Sequence, residues 1–270
     1  MRNAENEALL LNHKVLQPEH LLIAYFHENT GVYGEISLMT KLDKASLRNL
    51  IKNKDKSKNH CTVKFDLFKI AVTEEIIQIF KTAIYYMERY NQVYLNEGHL
   101  LKALLKTSVM ENILSEEEKQ IILTLGTTSR DMITHLGNYT FPKINLLPVR
   151  KVNKNDESNL VYFVKSNFSA EWSHTIREAF LLNEPSIYIA FDNKENIIGF
   201  AAFDVYKNKK CYFGPMGVSK SNRTKGIGYA LLHHCLKDMN EIGYEYVIIG
   251  GAGPIEFYES ACNAVVIPSS

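Results

Sequence analysis

The chain is poor in the features that mark secretion, membranes or metals. Its opening, Met1-Arg2-Asn3-Ala4-Glu5, is polar and lacks the apolar core of a signal peptide. It has no run of about 18 apolar residues, so neither a membrane-spanning helix nor a membrane partner is expected. Only four cysteines occur (Cys61, Cys211, Cys235, Cys262), widely spaced and without a Cys-x-x-Cys pair. That usage predicts a reduced, cytoplasmic protein. An excess of one charge sign is also missing. Lys and Arg total 31 against 30 Asp and Glu, for a net charge of +1, and the two halves share these charges evenly. No broad polyanion-binding surface is implied, and no nucleic-acid partner is expected. His13, His20 and His27 recur every seven residues, but His13 falls in a loop-like stretch, so packed or capped histidines are expected there and no metal. What the chain does have is 46% apolar residues over 270 positions, enough to bury the cores of one large domain or two ordinary ones.

The most informative stretch is Arg223-Thr224-Lys225-Gly226-Ile227-Gly228. Before it, residues 211–218 read as a buried strand. After it, Ile227, Leu231, Leu232, Cys235, Leu236 and Met239 recur at helical spacing. A glycine-rich turn between a strand and a helix start is a phosphate cradle. The first helical N–H groups lack internal partners, and the helix dipole favours negative charge there. Gly226 and Gly228 allow close backbone approach, Arg223 and Lys225 add charge, and the cradle extends to Tyr229. The P-loop string Gly-x-x-x-x-Gly-Lys-Ser/Thr is absent. The dinucleotide fingerprint needs a third glycine where Leu231 stands.

The remaining pattern, Arg-x-x-Gly-x-Gly, resembles the acyl-CoA pyrophosphate loop of the GNAT N-acetyltransferases. The order of elements agrees. A strand at 146–152 leads to helices at 159–168 and 170–182, strands at 187–191, 197–206 and 211–218, a helix at 226–242, a strand at 246–250, a helix at 255–261 and a strand at 264–268. This mixture indicates a mixed α/β sheet. The resemblance implies acetyl-CoA as co-substrate. It also implies a backbone N–H of Met216, Gly217 or Val218 facing the thioester carbonyl, as fixed donors do in an oxyanion hole. Tyr258, in Phe257-Tyr258-Glu259, takes the place of the acid that protonates the leaving thiolate. The base is open: the strand 211–218 carries no acid, and Glu256, Asp204, His174 and Glu171 are the candidates. The string Gly250-Gly251-Ala252-Gly253-Pro254 with Phe257-Tyr258, and the ending Ile267-Pro268-Ser269-Ser270, resemble a bacterial GNAT subgroup. Trp172, the single tryptophan, sits where the family's acceptor groove has its wall; core packing is its plainer role. A typical member has a seventh strand beyond the one at 264–268. None follows here, which predicts an open sheet position and invites a homodimer.

The first half is helical in pattern and repeats itself weakly. Val15-Leu16-Gln17-Pro18-Glu19-His20-Leu21-Leu22 and Tyr94-Leu95-Asn96-Glu97-Gly98-His99-Leu100-Leu101 align through their histidines. The lysine-rich stretch 52–58 reads as a solvated linker between the copies. Repeated helical units of this size pack on one another. Residues 2–140 are similar to the N-terminal domain of the Clp ATPases. Some members use paired glutamates of the repeat to bind phosphoarginine on client proteins. Here only Glu19 holds its place, and Gly98 precedes His99. No ATPase module accompanies the domain.

The expected architecture is thus a two-domain α+β chain. An all-α Clp-N-like repeat domain spans 1–142, and a mixed α/β GNAT acyltransferase domain spans 145–270, joined near Pro142 and Pro148. The expected activity is acetyl transfer from acetyl-CoA to an amine by direct attack, with the helical domain recruiting a protein or shaping the acceptor groove. The alternative is an acyl-CoA-binding sensor, or a Clp-protease adaptor that docks through its helical domain.

Overall fold

Local signals start several helices of the first half: the side chains of Asn96 and Ser115 each accept the N–H three residues on, where helices begin at Glu97 and Glu116. The computed structural model describes residues 1–27, 30–52, 61–90, 92–144, 149–223 and 226–269; residues 53–58 of the linker stretch lie outside these. The helices are α1 (Arg2–Leu10), α2 (Pro18–Tyr25), α3 (Gly31–Thr40), α4 (Lys44–Lys52), α5 (Glu74–Arg89), α6 (Glu97–Leu104), α7 (Ser108–Glu111) and α8 (Glu116–Thr127). In α5 the stripe is Ile76, Ile79, Phe80, Ala83 and Tyr86, all buried. Beside the helices of the expected all-α domain stand three short strands. Short strands β1 (Val15–Leu16), β2 (Thr62–Val63) and β3 (Ala71–Thr73) form a small sheet in the order β1-β3-β2. Two-residue strands carry no readable alternation, which is why the sequence does not announce them.

The repeated histidines have a common structural job. Pro18 opens α2 at the first helical position, and His20 Nδ1 accepts the Gln17 N–H at 2.9 Å. In α6, His99 Nδ1 accepts the Asn96 N–H at 3.2 Å, while Asn96 Oδ1 accepts the His99 N–H at 2.9 Å. Each histidine stands at the third helical position and closes a capping box, a role usually taken by Glu or Gln. His20 also meets His13 at 2.9 Å, and His27 pairs with Glu7 at 2.6 Å, so the three heptad-spaced histidines have hydrogen-bonding roles. Gly98 is explained by packing. A Cβ there would stand 3.1 Å from the Gly126 carbonyl on α8, so the glutamate of the family repeat would crowd that helix.

The second half builds one seven-stranded sheet. Its elements are β4 (Arg130–His135), β5 (Val149–Lys151), α9 (Glu157–Asn167), α10 (Ala170–Ala179), β6 (Ile187–Phe191), β7 (Ile197–Phe203), β8 (Tyr212–Val218), α11 (Ile227–Ile242), β9 (Tyr246–Ala252), α12 (Ile255–Cys262) and β10 (Val265–Val266). The strand order is β10-β4-β9-β8-β7-β6-β5. The meander β5 to β8 is antiparallel, β8 and β9 are parallel, and β4 is antiparallel to both β9 and β10. On one face α9 and α10 pack Leu160, Phe163, Val164 and Ile176 against Ile187, Ile189 and Phe200. On the other lie α11 and α12. Leu231 and Ile227 of α11 close on Gly199, where a Cβ would meet the Leu231 side chain at 3.0 Å. Tyr258 of α12 packs edge-on against Phe213.

Strand β4 corrects two expectations. The chain divides into one compact unit of residues 1–128, joined by the last residues from Pro268, and a second of residues 129–267. The joint expected at 142–145 therefore lies inside the second unit. The sheet position expected to stand open is filled by β4, a segment placed ahead of the expected domain. No second copy of the chain is needed to complete the sheet.

Candidate active site

The site is a gap between two parallel strands. β8 and β9 pair only at Tyr212↔Ile248 and Phe213↔Ile249. Beyond Phe213, β8 runs on through Gly214, which has φ +126° and a cis bond to Pro215, and stays paired with β7 through Val218. Beyond Ile249, β9 runs on to Ala252 against β4 alone. The two strands thus part and leave unpaired backbone on their facing edges.

The ladder says which amides face the gap. Ser219 N–H donates to Ile198 O at 2.9 Å. Narrow and wide pairs alternate along an antiparallel ladder, so the Gly217 amide turns to β7, while the Met216 and Val218 amides turn to the gap. Of the three expected carbonyl partners, Gly217 is therefore the one whose amide is occupied by β7. Gly217 serves packing instead: a Cβ there would collide with the Phe168 ring at 2.4 Å. Phe168 in turn stacks on Trp172 with centroids 5.6 Å apart and meets Phe200 edge-on. Trp172 is thus part of an aromatic wall beside β8.

The glycine-rich turn has the geometry of an anion cradle. Gly226 caps α11 with φ +76°, a conformation that favours glycine, and open space lies where its Cβ would point. The first intrahelical bond runs from Ala230 N–H to Gly226 O, so the Ile227, Gly228 and Tyr229 N–H groups have no partner within the helix. Gly228 is not sterically required, since a Cβ there would make ordinary contacts with Phe257 and Val218. Arg223 folds back, and its Nε donates to Val218 O at 3.0 Å, fixing the end of β8. Burial pulls the Arg223 guanidinium below its usual pKa. Thr224 and Lys225 lie outside the described residues. Beside Tyr229, a cavity of about 390 Å³ opens, lined also by Tyr139, Asn138 and Asn263. His233 Nδ1 donates to Tyr229 O at 2.8 Å, and its Nε2 meets the Tyr139 hydroxyl at 2.7 Å.

Tyr258 of α12 packs against Phe213, the last β8 residue paired with β9. It is buried, and burial first, then Cys262, pushes its hydroxyl well above the ordinary tyrosine pKa, so it stays protonated. Glu256 is two residues earlier on the same helix. At about 100° per residue, that spacing turns Glu256 to the side away from Tyr258, so the helix does not bring the two together. The other expected acids and bases also lie elsewhere. Asp204 accepts from the Tyr244 hydroxyl at 2.7 Å, beyond the paired end of β8. His174 is exposed and pairs with Glu178 at 3.2 Å.

Asp131 is what the sequence reading missed. The β4–β9 register shifts between Arg130↔Ala252 and Met132↔Ile249, so Gly250 and Gly251 together oppose Asp131 in a bulge. Its Oδ1 accepts the Gly251 N–H at 2.7 Å. No motif marked it, because it precedes the region that resembles the family.

Two family models match the chain. The acetyltransferase (GNAT) family matches residues 155–263, and the Clp repeat (R) N-terminal domain matches residues 1–117. Strand β4 falls between the two spans. Among solved structures, the chain is similar to a glucosamine N-acetyltransferase region of a fungal multi-domain β-N-acetylglucosaminidase, at 15% identity and TM-score 0.45, over 52% of this chain and 20% of that one. It is similar to a GNAT enzyme from Sphaerobacter thermophilus, at 16% identity and TM-score 0.42, over 69% of this chain and 65% of that one. It is also similar to the N-terminal domain of the chaperone ClpD from Arabidopsis thaliana, at 12% identity and TM-score 0.37, over 46% of this chain and 84% of that one. The chain spans only a fifth of the fungal protein's length. No curated protein sequence matches it. Residues 1–117 thus match the Clp repeat (R) N-terminal domain, and residues 155–263 match the acetyltransferase (GNAT) family.

Proposed function

We propose that the second domain transfers an acetyl group from acetyl-CoA to an amine by direct attack, in a gap opened by the parting of β8 and β9. That parting, with α11 starting at its mouth, is the observation that carries the reading. The pyrophosphate sits on the Ile227, Gly228 and Tyr229 N–H groups, where the helix dipole and fixed donors favour an anion. The cavity beside Tyr229 accommodates the outer end of the co-substrate. The pantetheine arm runs between the strands, and the Met216 or Val218 N–H binds the thioester oxygen as negative charge develops on it. Tyr258, kept protonated by burial, donates to the leaving thiolate. The helical domain serves as a docking module for a protein.

Calorimetry of acetyl-CoA with the full chain tests this, using Gly226→Glu and Gly226→Ala. Both variants strain the positive φ alike, but only the carboxylate repels phosphate. The expected result is binding by the wild type that is lost in Gly226→Glu and largely kept in Gly226→Ala. Equal binding by Gly226→Glu and the wild type would place the pyrophosphate elsewhere. No binding by the wild type would remove the acetyl-transfer reading itself.

A further inference from the structure

Asp131 lies in the β4–β9 bulge, opposite the part of β9 that has left β8. Along β4, Arg130, Met132 and Thr134 are buried, and the Thr134 hydroxyl donates to Cys262 O on α12 at 2.6 Å. The alternation of a strand then turns Asp131 to the opposite face, the one that carries α9 and α10. Tyr212 shares that face, because its neighbour Phe213 points to Tyr258. The Tyr212 ring covers Gly250, where any Cβ would overlap its hydroxyl. Gly250 is the first residue of β9 past its last pairing with β8. The bulge at Asp131 is therefore level with the start of the gap. Asp131 is exposed, and no Lys, Arg or His pairs with its carboxylate among the described residues. Its charge is felt nearby: after burial, it is the next cause of the raised Tyr212 pKa. One oxygen of Asp131 holds the Gly251 N–H, and the second is available.

We propose that Asp131 binds the acceptor as a cationic primary amine and takes the proton that frees its lone pair. This deepens the acetyl-transfer reading and rests on it. The acid and the base then flank the gap from opposite faces, Tyr258 on the side of α12 and Asp131 on the side of α10. One ammonium proton passes to Asp131. The nitrogen lone pair attacks the thioester carbon, the C–N bond forms, the C–S bond breaks, and the electron pair leaves on sulfur. Tyr258 gives its proton to that sulfur and is restored by the second proton lost from nitrogen. The proton on Asp131 leaves to solvent, so the turnover releases one proton. The strand that completes the sheet thus also supplies the carboxylate that β8 lacks.

The test separates this role from the fastening of the bulge. Asp131→Asn keeps an oxygen for the Gly251 N–H and loses the charge, whereas Asp131→Ala loses both. CoA release is measured with the full chain, acetyl-CoA, and glucosamine, L-lysine, putrescine or hydroxylamine as acceptor, alongside calorimetry of acetyl-CoA. Hydroxylamine is already neutral at neutral pH. For the best alkylamine, Asp131→Asn should lower kcat/KM about a hundredfold, the scale of a lost general base. The loss should be much smaller with hydroxylamine, and acetyl-CoA affinity should not change. Wild-type turnover by Asp131→Asn, or equal losses with both kinds of acceptor, would overturn the proposal. A wild type that binds acetyl-CoA but acetylates none of these amines would overturn it too, leaving the cofactor reading intact. A wild type that binds no acetyl-CoA would mean the reading beneath it has failed.

Discussion

A buried carboxylate of the helical domain and three groups of the sheet domain respond to burial in opposite ways. In the helical domain Glu7 is fully buried yet charged. Arg48 donates to both of its oxygens at 2.7 and 2.6 Å, and His27 lies at 2.6 Å. Burial opposes that charge, but the Arg48 and His27 partners outweigh it together and hold the carboxyl below its usual pKa. In the sheet domain Cys262, Tyr139 and His233 are held neutral instead. Burial pushes the Cys262 thiol up to about 11 and Tyr139 up to about 12, and pulls His233 down. The difference teaches that burial alone neutralises a group, and only a fixed opposite charge preserves its ionisation. Tyr258 falls under the same rule, so the burial that stabilises the sheet also keeps its hydroxyl protonated.

The domains also differ in where their stability resides along the chain, and truncation offers the sharpest break in the comparison. A fragment of residues 145–270 lacks β4, which pairs with both β9 and β10, and is expected not to fold. A fragment of residues 129–270 retains β4 and is expected to melt cooperatively. Trp172 is the only tryptophan and lies in this domain, so its fluorescence on heating reads the outcome. A cooperative melt by 145–270 would show that β4 is dispensable.

A smaller effect separates the charged core from the neutral one. Glu7→Ala leaves Arg48 and His27 facing a buried site without their anion, and is expected to destabilise the helical domain by about 3 kcal/mol. Urea unfolding followed by helical circular dichroism should shift to lower denaturant, while the Trp172 transition stays in place. Coincident shifts of both probes would mean that the domains unfold as one unit.

The smallest effect is a pH dependence. His20 is fully buried and its pKa falls to about 4 from 6.5, chiefly by burial and then through His13. A histidine lowered in the fold stabilises it above the unfolded pKa, and that contribution drains away as pH falls from about 6.5 toward 4. By pH 5 the loss should reach about 2 kcal/mol. Unfolding of the helical domain at pH 7 and pH 5 measures it, and His20→Asn, which does not titrate there, should flatten the difference. An unchanged pH dependence in His20→Asn would assign it to other groups.

Much of the site was legible because it is local. The Gly226 turn, the apolar periodicity of α11 and the place of Tyr258 after β9 all depend on residues close in sequence. The paired histidines were legible as a repeat, but their capping role was not, because His is an unusual third residue in a capping box. The exclusion of Gly217 from the gap depends on hydrogen-bond parity along β7 and β8, which composition cannot report. The separation of Glu256 from Tyr258 follows from helix geometry once both residues sit on one helix.

By itself, then, the sequence determined the two family resemblances, the order of helices and strands from β5 onward, and the glycine-rich turn, since propensity, periodicity and glycine act over a few residues. Only the tertiary structure decided which strand fills the sheet and which acid fastens the bulge of β9. Residues 130–135 and 249–252 are far apart in the chain and come together only through long-range strand pairing. No short-range pattern encodes that pairing, because its free energy comes from hydrogen bonds and burial that exist only after the sheet has closed.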